Sequence, residues 1–326
     1  MEGKKYIHPL LDEIPKLAEI AKQDNYHVTV AENFVDVNAG SGLVHLSPAN
    51  GEEDNNIAMK RGVTIFCPID DEVKFTEDAG KYAGLFVRDA DEKLVQAVKD
   101  RNALVRIGKI KHKYPLCWRC NHGLVWLARR EYFYMLDKLG DKAIKAAEDV
   151  EYFFDQPKNR FLEIIKEKHP WCISRERFWG CPIPIWKCDE CGNMERLFSR
   201  KEIIESAIEL PDGENFELHR PWIDKIKVKC KECDAIMQRE EFVLDTWHNS
   251  GSAPIASLDE STYKEKIPAP FFTEGIDQTR GWAYTLLIEN VIYNNASVSP
   301  YKSFLFQGHV LDENGNKMSK SKGNVL

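Results

Sequence analysis

The sequence predicts an α/β protein carrying a metal-stabilised insert, and three observations support this. Residues 268–307 read as strand, loop, apolar helix and strand, which is half of a βαβ unit. Six of the nine cysteines fall into three Cys-x-x-Cys pairs. A length of 326 residues with 43% hydrophobic side chains can build a sizeable core, in about two domains at roughly 150 residues each.

Charge and hydropathy remove several classes. Lys and Arg total 45 against 52 Asp and Glu, a formal charge of −7, so a protein that coats nucleic acid without selectivity is excluded and any RNA contact must be a local patch. Mean hydropathy is −0.45, and no window holds the roughly 18 unbroken apolar residues of a membrane span. The first residues carry lysines with no apolar core behind them, so a secretory signal is not expected. The expectation is a soluble cytoplasmic chain without a membrane partner.

From the N-terminus, residues 26–46 alternate apolar and polar around Gly40 and Gly42, which predicts a strand, a glycine turn and a second strand in a β-rich domain. After Pro48, GEEDNNIAMKRG places acids in a first helical turn before a glycine stop, and VTIFCPI resumes as strand. DEKLVQAVKDRNAL, residues 91–104, sets Leu94, Val95 and Val98 at helical spacing. From about 110 the texture turns to aromatics, basic residues and cysteine pairs. The division expected is 1–110 for the β-rich part, 111–267 for a connecting region with metal knuckles, and 268–326 for the half βαβ unit.

Cys188 and Cys191 sit in WKCDECGN, and Cys230 and Cys233 in VKCKECDA. Each is a tight turn that points two thiolates at one ion, and four thiolates make a closed tetrahedral zinc site with no open position for chemistry. Cys117 and Cys120, in PLCWRCNH, have no second pair left over; His122 or His112 could complete a site, or its partner could lie outside this chain. At the other end, Asn314-Gly315 signals a hairpin turn, followed by a loop over Lys317 to Ser321. Lys317, Lys320 and Lys322, with hydroxyls between them, suit a polyphosphate whose bonds are rearranging.

The string KMSKS resembles the second signature of the class I aminoacyl-tRNA synthetases. EGIDQTRGW at 274–282, WCISRERFWGCPIP at 171–184 and LDTWHNSGSAP at 244–254 are similar to isoleucyl-tRNA synthetases in particular. The resemblance covers nearly the whole chain. It implies the second half of a Rossmann-type nucleotide-binding domain, the C-terminal part of a β-rich editing domain, and a zinc-knuckle region between them. It also implies ATP-dependent ligation of isoleucine to tRNA(Ile) through isoleucyl-adenylate, with magnesium accompanying the ATP and a monomeric parent enzyme.

By this resemblance Gly275 lets backbone approach adenosine, Asp277 accepts from the ribose hydroxyls, Gln278 adds a hydrogen bond, and Glu274 faces the adenylate and the amino group of isoleucine. Taken alone, Asp277 reads as a helix cap. Trp247 and Trp282 correspond to the walls of the isoleucine pocket, and Lys317 and Lys320 to the catalytic lysines. An apolar pocket cannot exclude valine well, since a missing methylene is worth about 1–3 kcal/mol, an established limit for isoleucyl enzymes themselves. The resemblance therefore implies hydrolytic editing of mischarged valyl-tRNA, with His45 at the terminal ribose and Asp54 on the α-amino group. The basic run Lys99, Arg101, Arg106, Lys109, Lys111 and Lys113, then Tyr114, Trp118 and Arg119, could carry tRNA backbone or form a solvated face.

The family's first signature, His-x-Gly-His, is not in the sequence, nor is the threonine-rich strand of the editing pocket. The expectation is an internal piece of a longer enzyme, inactive by itself. A stand-alone zinc-stabilised RNA-binding module and a valyl-tRNA synthetase fragment are the alternatives.

Overall fold

The structure, a computed structural model, describes residues 2–117, 120–318 and 323–325. The chain divides into two compact units, residues 1–130 and 131–326. Among the described residues no helix is long and apolar enough to cross a membrane.

The first unit holds helices α1 (Pro15–Ile20), α2 (Glu52–Lys60) and α3 (Asp91–Asp100). The two expected from sequence form where apolar spacing and acidic first turns place them. α2 stops at Gly62, φ +64, with Gly62 N–H donating to Met59 O and Val63 N–H to Ala58 O. These are the two bonds of a Schellman cap. α3 ends the same way on Asn102, φ +55, earlier than the apolar spacing alone suggests.

The strands expected at 26–46 and 63–69 do not form. Among the described residues of this unit only isolated bridges occur, Lys5 to Val28, Ile69 to Phe75, Lys74 to Phe86 and Leu116 to Gly123. An extended segment becomes a strand only where a neighbour satisfies its ladder, and Gly40 and Gly42, at φ +58 and +67, turn the backbone away in between. Alternation therefore marked extended chain that pairs only over a short stretch: Gly3 N–H donates to Thr29 O, Thr29 N–H to Lys4 O and Tyr6 N–H to His27 O around the Lys5–Val28 bridge.

The second unit begins with β1 (Phe133–Tyr134), α4 (Gly140–Glu148), β2 (Glu151–Tyr152), α5 (Asp155–Lys166), β3 (Trp171–Cys172), β4 (Ser174–Arg175), β5 (Ile185–Lys187) and β6 (Met194–Arg196). It continues through α6 (Arg200–Ser206), β7 (Ala207–Glu209), β8 (Lys227–Lys229), β9 (Ile236–Arg239) and β10 (Val243–Leu244). Helices α7 (Thr246–Gly251), α8 (Ala253–Ser257) and α9 (Glu260–Lys266) lead to β11 (Phe272–Gly275), α10 (Trp282–Asn294) and β12 (Ser303–Gln307).

β11, β12 and β2 form a parallel sheet in that order, so the half βαβ unit read from sequence is present. α10 is apolar nearly all round and buried at Ala283 and from Thr285 through Val291, with Tyr284 half-buried, as a helix covering a parallel sheet must be. Its Leu286, Leu287 and Val291 share one core with Phe161 of α5, Ala143 and Ala147 of α4, and Phe304 and Phe306 of β12. The nucleotide-type layer thus draws on residues 140–166 as well as on those after 268.

A second core lies under the antiparallel sheet β6-β5-β9-β8-β7, around Trp186, Phe216, Ile226, Val228 and Met237. Buried Trp186 donates its indole N–H to Ile226 O at 2.8 Å, satisfying its one polar group.

Candidate functional site

The two cysteine knuckles are the turns of the hairpins β5–β6 and β8–β9. β5 pairs antiparallel with β9, Lys187 opposite Gln238, so both turns lie at one end of the sheet. All four sulfurs of Cys188, Cys191, Cys230 and Cys233 lie within 4.8 Å of one another, with Cys188–Cys233 at 3.5 Å and Cys191–Cys230 at 3.6 Å. Zinc–sulfur bonds of about 2.3 Å in a tetrahedron need sulfurs about 3.8 Å apart, so the donor set fits zinc. Burial opposes ionisation of Cys230, but the backbone N–H groups of Glu232 and Cys233 outweigh it and pull its pKa down to about 6. Cys233 is pushed up to about 12 despite the Ala235 N–H, because neighbouring thiols compete with its ionisation.

All three Cys-x-x-Cys turns share one backbone form. The first cysteine's N–H donates to the carbonyl five residues on, and the residue four on returns an N–H to the cysteine's carbonyl, at Cys117, Cys188 and Cys230 alike. That fourth residue is left-handed each time: Asn121, Gly192 and Asp234. Among the described residues, however, no third ligand joins Cys117 and Cys120, and neither His112 nor His122 closes a site with them.

At the carboxyl ends of the parallel strands, where open α/β sheets bind ligands, Glu274 and Gly275 end β11, in register with Phe306 and Gln307 of β12. A 3-10 turn over Ile276–Arg280 follows. The exposed carboxylate of Asp277 folds back over Gly275, where an added Cβ would lie 2.7 Å from its Oδ1. It makes no cap bond to that turn, contrary to what an isolated Asp there suggests. The cap at this corner comes instead from Gln278, whose Oε1 accepts the backbone N–H of Trp282 at 2.7 Å, leaving its amide N–H groups as donors.

Trp282 opens α10, and Trp247 lies in the first turn of α7. Both flank Gly281, where an added Cβ would sit 3.3 Å from the Trp247 ring. Trp282 Nε1 donates to Ser250 O at 3.0 Å, and a Cβ on Gly251 would meet the Thr285 backbone at 2.8 Å. α7 is capped by Asp245, which also accepts from Trp171 Nε1 at 3.0 Å and Arg175 Nη2 at 2.8 Å. Sequence reasoning missed this acid and also His248 and Glu289, since nothing in their spacing marks a cross-helix partner.

The hairpin signalled by Asn314-Gly315 is present. Gly315 N–H donates to Asp312 O, Asp312 N–H to Asn316 O, and Leu311 bridges Lys317. Asp312 is held below the usual carboxylate range, chiefly by Asn324 Nδ2 at 2.7 Å and then by the Asn316 N–H. Lys317 is exposed; Lys320 and Lys322 lie outside the described residues, as do Trp118 and Arg119.

In the first unit, His45 and Asp54 line one cavity of about 220 Å³ together with Tyr6, His8, Tyr26 and His27. Asp54, in the first turn of α2, accepts the Ser47 N–H at 2.8 Å. Burial lowers the pKa of His8, and His27 and His45 lower it further; burial lowers that of His27 too. The neutral forms of His8 and His27 are therefore favoured, suited to hydrogen bonding or stacking rather than to holding an anion. Of the basic run, Arg101 is engaged by Asp12 and Glu13.

A nucleotide-type parallel sheet, an acid and glycine at its carboxyl edge, the Trp247 ring beside Gly281 and Trp282 at the start of α10, and a four-thiol hairpin pair define a class. The chain belongs to the class I tRNA synthetases (I, L, M and V), whose family model matches residues 16–326. Its relatives include the isoleucine–tRNA ligases of Methanocaldococcus jannaschii, 42% identical, and Methanopyrus kandleri, 38% identical, each aligned with 100% of this chain. That of Saccharolobus islandicus is 41% identical over 99% of it. The chain spans 31%, 32% and 30% of the lengths of these relatives.

Proposed function

We propose that this chain provides the second wall of the amino-acid-activating site of an isoleucine–tRNA ligase, forming isoleucyl-adenylate from isoleucine and ATP–magnesium and passing it to tRNA(Ile). The observation that carries the reading is the Trp247 ring beside Gly281, the residue before Trp282, in a chain whose β11 ends in Glu274 and Gly275 and leads into the turn that bears Asp277. Two flat apolar rings suit a branched aliphatic side chain. Asp277 offers acceptor oxygens to ribose hydroxyls, and Lys317 and Lys320 neutralise the triphosphate while its α-phosphate is attacked. Activation of this kind is mainly positioning, so a preformed wall suits it.

The cavity holding His45 and Asp54 is the editing half-site in this reading, where Asp54 anchors the α-amino group of a misattached valine and His45 meets the ribose. Cys188, Cys191, Cys230 and Cys233 hold a structural zinc, which fixes two hairpins and supplies no chemistry. Cys117 and Cys120 form half of a second site. The divisions at 110 and 267, a monomeric cytoplasmic parent and inactivity of the isolated chain belong to the same proposal.

A chimera in which this chain replaces the corresponding span of the Methanocaldococcus jannaschii ligase tests it. Isoleucine-dependent ATP–pyrophosphate exchange well above that with valine is expected. Exchange driven best by valine would move the reading to the valyl enzyme, and none with any aliphatic amino acid would overturn it.

A further inference from the structure

Helix α10 buries three polar residues, Thr285, Glu289 and Asn290, and Glu289 faces the helix that carries Trp247. Glu289 is 4% exposed. Its Oε1 lies 2.5 Å from Nδ1 of His248, the residue after Trp247 in α7. The Tyr134 hydroxyl lies 3.5 Å from the same nitrogen, and the Tyr134 and Trp171 rings flank the imidazole at 5.8 and 6.4 Å. Burial, then the charge of Glu289, keeps the Tyr134 hydroxyl protonated far above neutral pH.

A carboxylate buried in an apolar helix is costly unless it is paired and hydrogen-bonded, and the same interior could be filled by an apolar side chain of similar volume at no such cost. What the pair supplies is therefore geometry. Trp282, Thr285 and Glu289 lie three and four residues apart, one stripe along α10. Each position on that stripe meets α7: Trp282 Nε1 at Ser250 O, Thr285 against Gly251, and Glu289 at His248. α7 spans only Thr246–Gly251, too short to be stable by itself, so its orientation depends on its tertiary contacts. The hydrogen bond to Glu289 is thus one of three contacts that hold α7 against α10, and it acts on the residue next to Trp247.

We infer that His248 and Glu289 are positioning residues for the aminoacyl pocket: their buried hydrogen bond sets the spacing of the Trp247–Trp282 wall and so the discrimination among aliphatic amino acids. This rests on the pocket assignment made above.

The test uses the same chimera with His248→Phe, Glu289→Leu, the double variant and Glu289→Gln. His248→Phe keeps an aromatic ring but strands the acid, so it loses stability. The double variant removes both polar groups and is expected to recover most of that stability. It should nevertheless show an isoleucine KM in exchange raised about tenfold, an unchanged ATP KM, and a fall of similar size in the isoleucine-to-valine ratio of kcat/KM. Glu289→Gln keeps an acceptor for the imidazole N–H and should retain both values, which a loss of packing alone would not rescue. If the double variant is stable and holds its isoleucine KM and selectivity within about twofold, the pair is merely structural and the inference fails. Should His248→Phe not fold, the double variant and Glu289→Gln decide the matter alone. If the unsubstituted chimera exchanges best with another aliphatic amino acid, the function reading fails, and the same KM and selectivity comparison made on that amino acid still judges the positioning.

Discussion

At the scale of single residues, the absence of a side chain does as much as its presence. Gly251 brings α7 against α10, because any Cβ there would lie 2.8 Å from the carbonyl carbon and oxygen of Thr285, backbone atoms that cannot step aside. Alanine is the better helix former by up to about 1 kcal/mol, yet the clash with helix backbone outweighs that gain. Gly251→Ala is expected to destabilise by about 1–3 kcal/mol, read as a lower urea midpoint with unchanged slope. Glu13 makes the opposite kind of contribution. Lys81 first, then Tyr82 and Arg101, hold its pKa at about 2, against a usual 4.5. A carboxyl depressed on folding stabilises above its unfolded pKa, and that stability drains as pH falls from about 4.5 toward about 2. Glu13→Gln should therefore flatten the loss of stability between about pH 5 and about pH 2.5, and equal slopes for parent and variant would remove Glu13 from the account.

At the scale of elements, the legible parts were those whose signal is local. α2 was visible because an acidic first turn and a glycine stop are written in nearby residues, and α3 because Leu94, Val95 and Val98 stand at helical spacing, though its stop at Asn102 was not read. The β11–α10–β12 unit was visible for the same reason, and the Cys-x-x-Cys turns because two ligands stand three apart. What the sequence did not show depends on partners distant in the chain. Residues 26–46 alternate as a strand would, but their backbone pairing is confined to residues 27–29 against residues 3–6. The His248–Glu289 pair joins positions 41 apart. Even the pairing of the two knuckles was open until β5 lay beside β9. That pairing yields a prediction for the element itself. The sheet β6-β5-β9-β8-β7 is small, and the four sulfurs gather its two hairpins at one end, so under the proposed zinc site metal binding would add directly to its folding energy. Chelation is expected to lower the melting temperature and expose buried Trp186 to quencher, while Cys230→Ser should abolish zinc retention measured by elemental analysis. Undiminished melting after complete zinc removal would show that the hairpins close without it.

For the whole molecule, the distribution of core decides how stability is shared. In residues 131–326 large side chains fill two clusters, Phe161, Leu286, Leu287 and Phe304 in one and Trp186, Phe216 and Met237 in the other. The buried apolar set of residues 1–130 is mostly alanine, with Leu10, Leu17, Ile20 and Tyr82 the larger members. At roughly 25 cal/mol per Å² of apolar surface buried, alanines contribute little against the entropy of ordering a unit rich in irregular chain. The −7 charge and the acidic first turns of α2 and α3 add no compensating core. The two units are therefore expected to melt separately in the zinc-loaded chain. Calorimetry should give a measured enthalpy above the van't Hoff value, with the lower transition belonging to residues 1–130. Limited proteolysis just above that first transition should leave a resistant piece beginning near Glu131. A single transition with matching enthalpies would mean that the thin core of the first unit is supported by the second, and the division at Arg130 would then describe contacts and not stability.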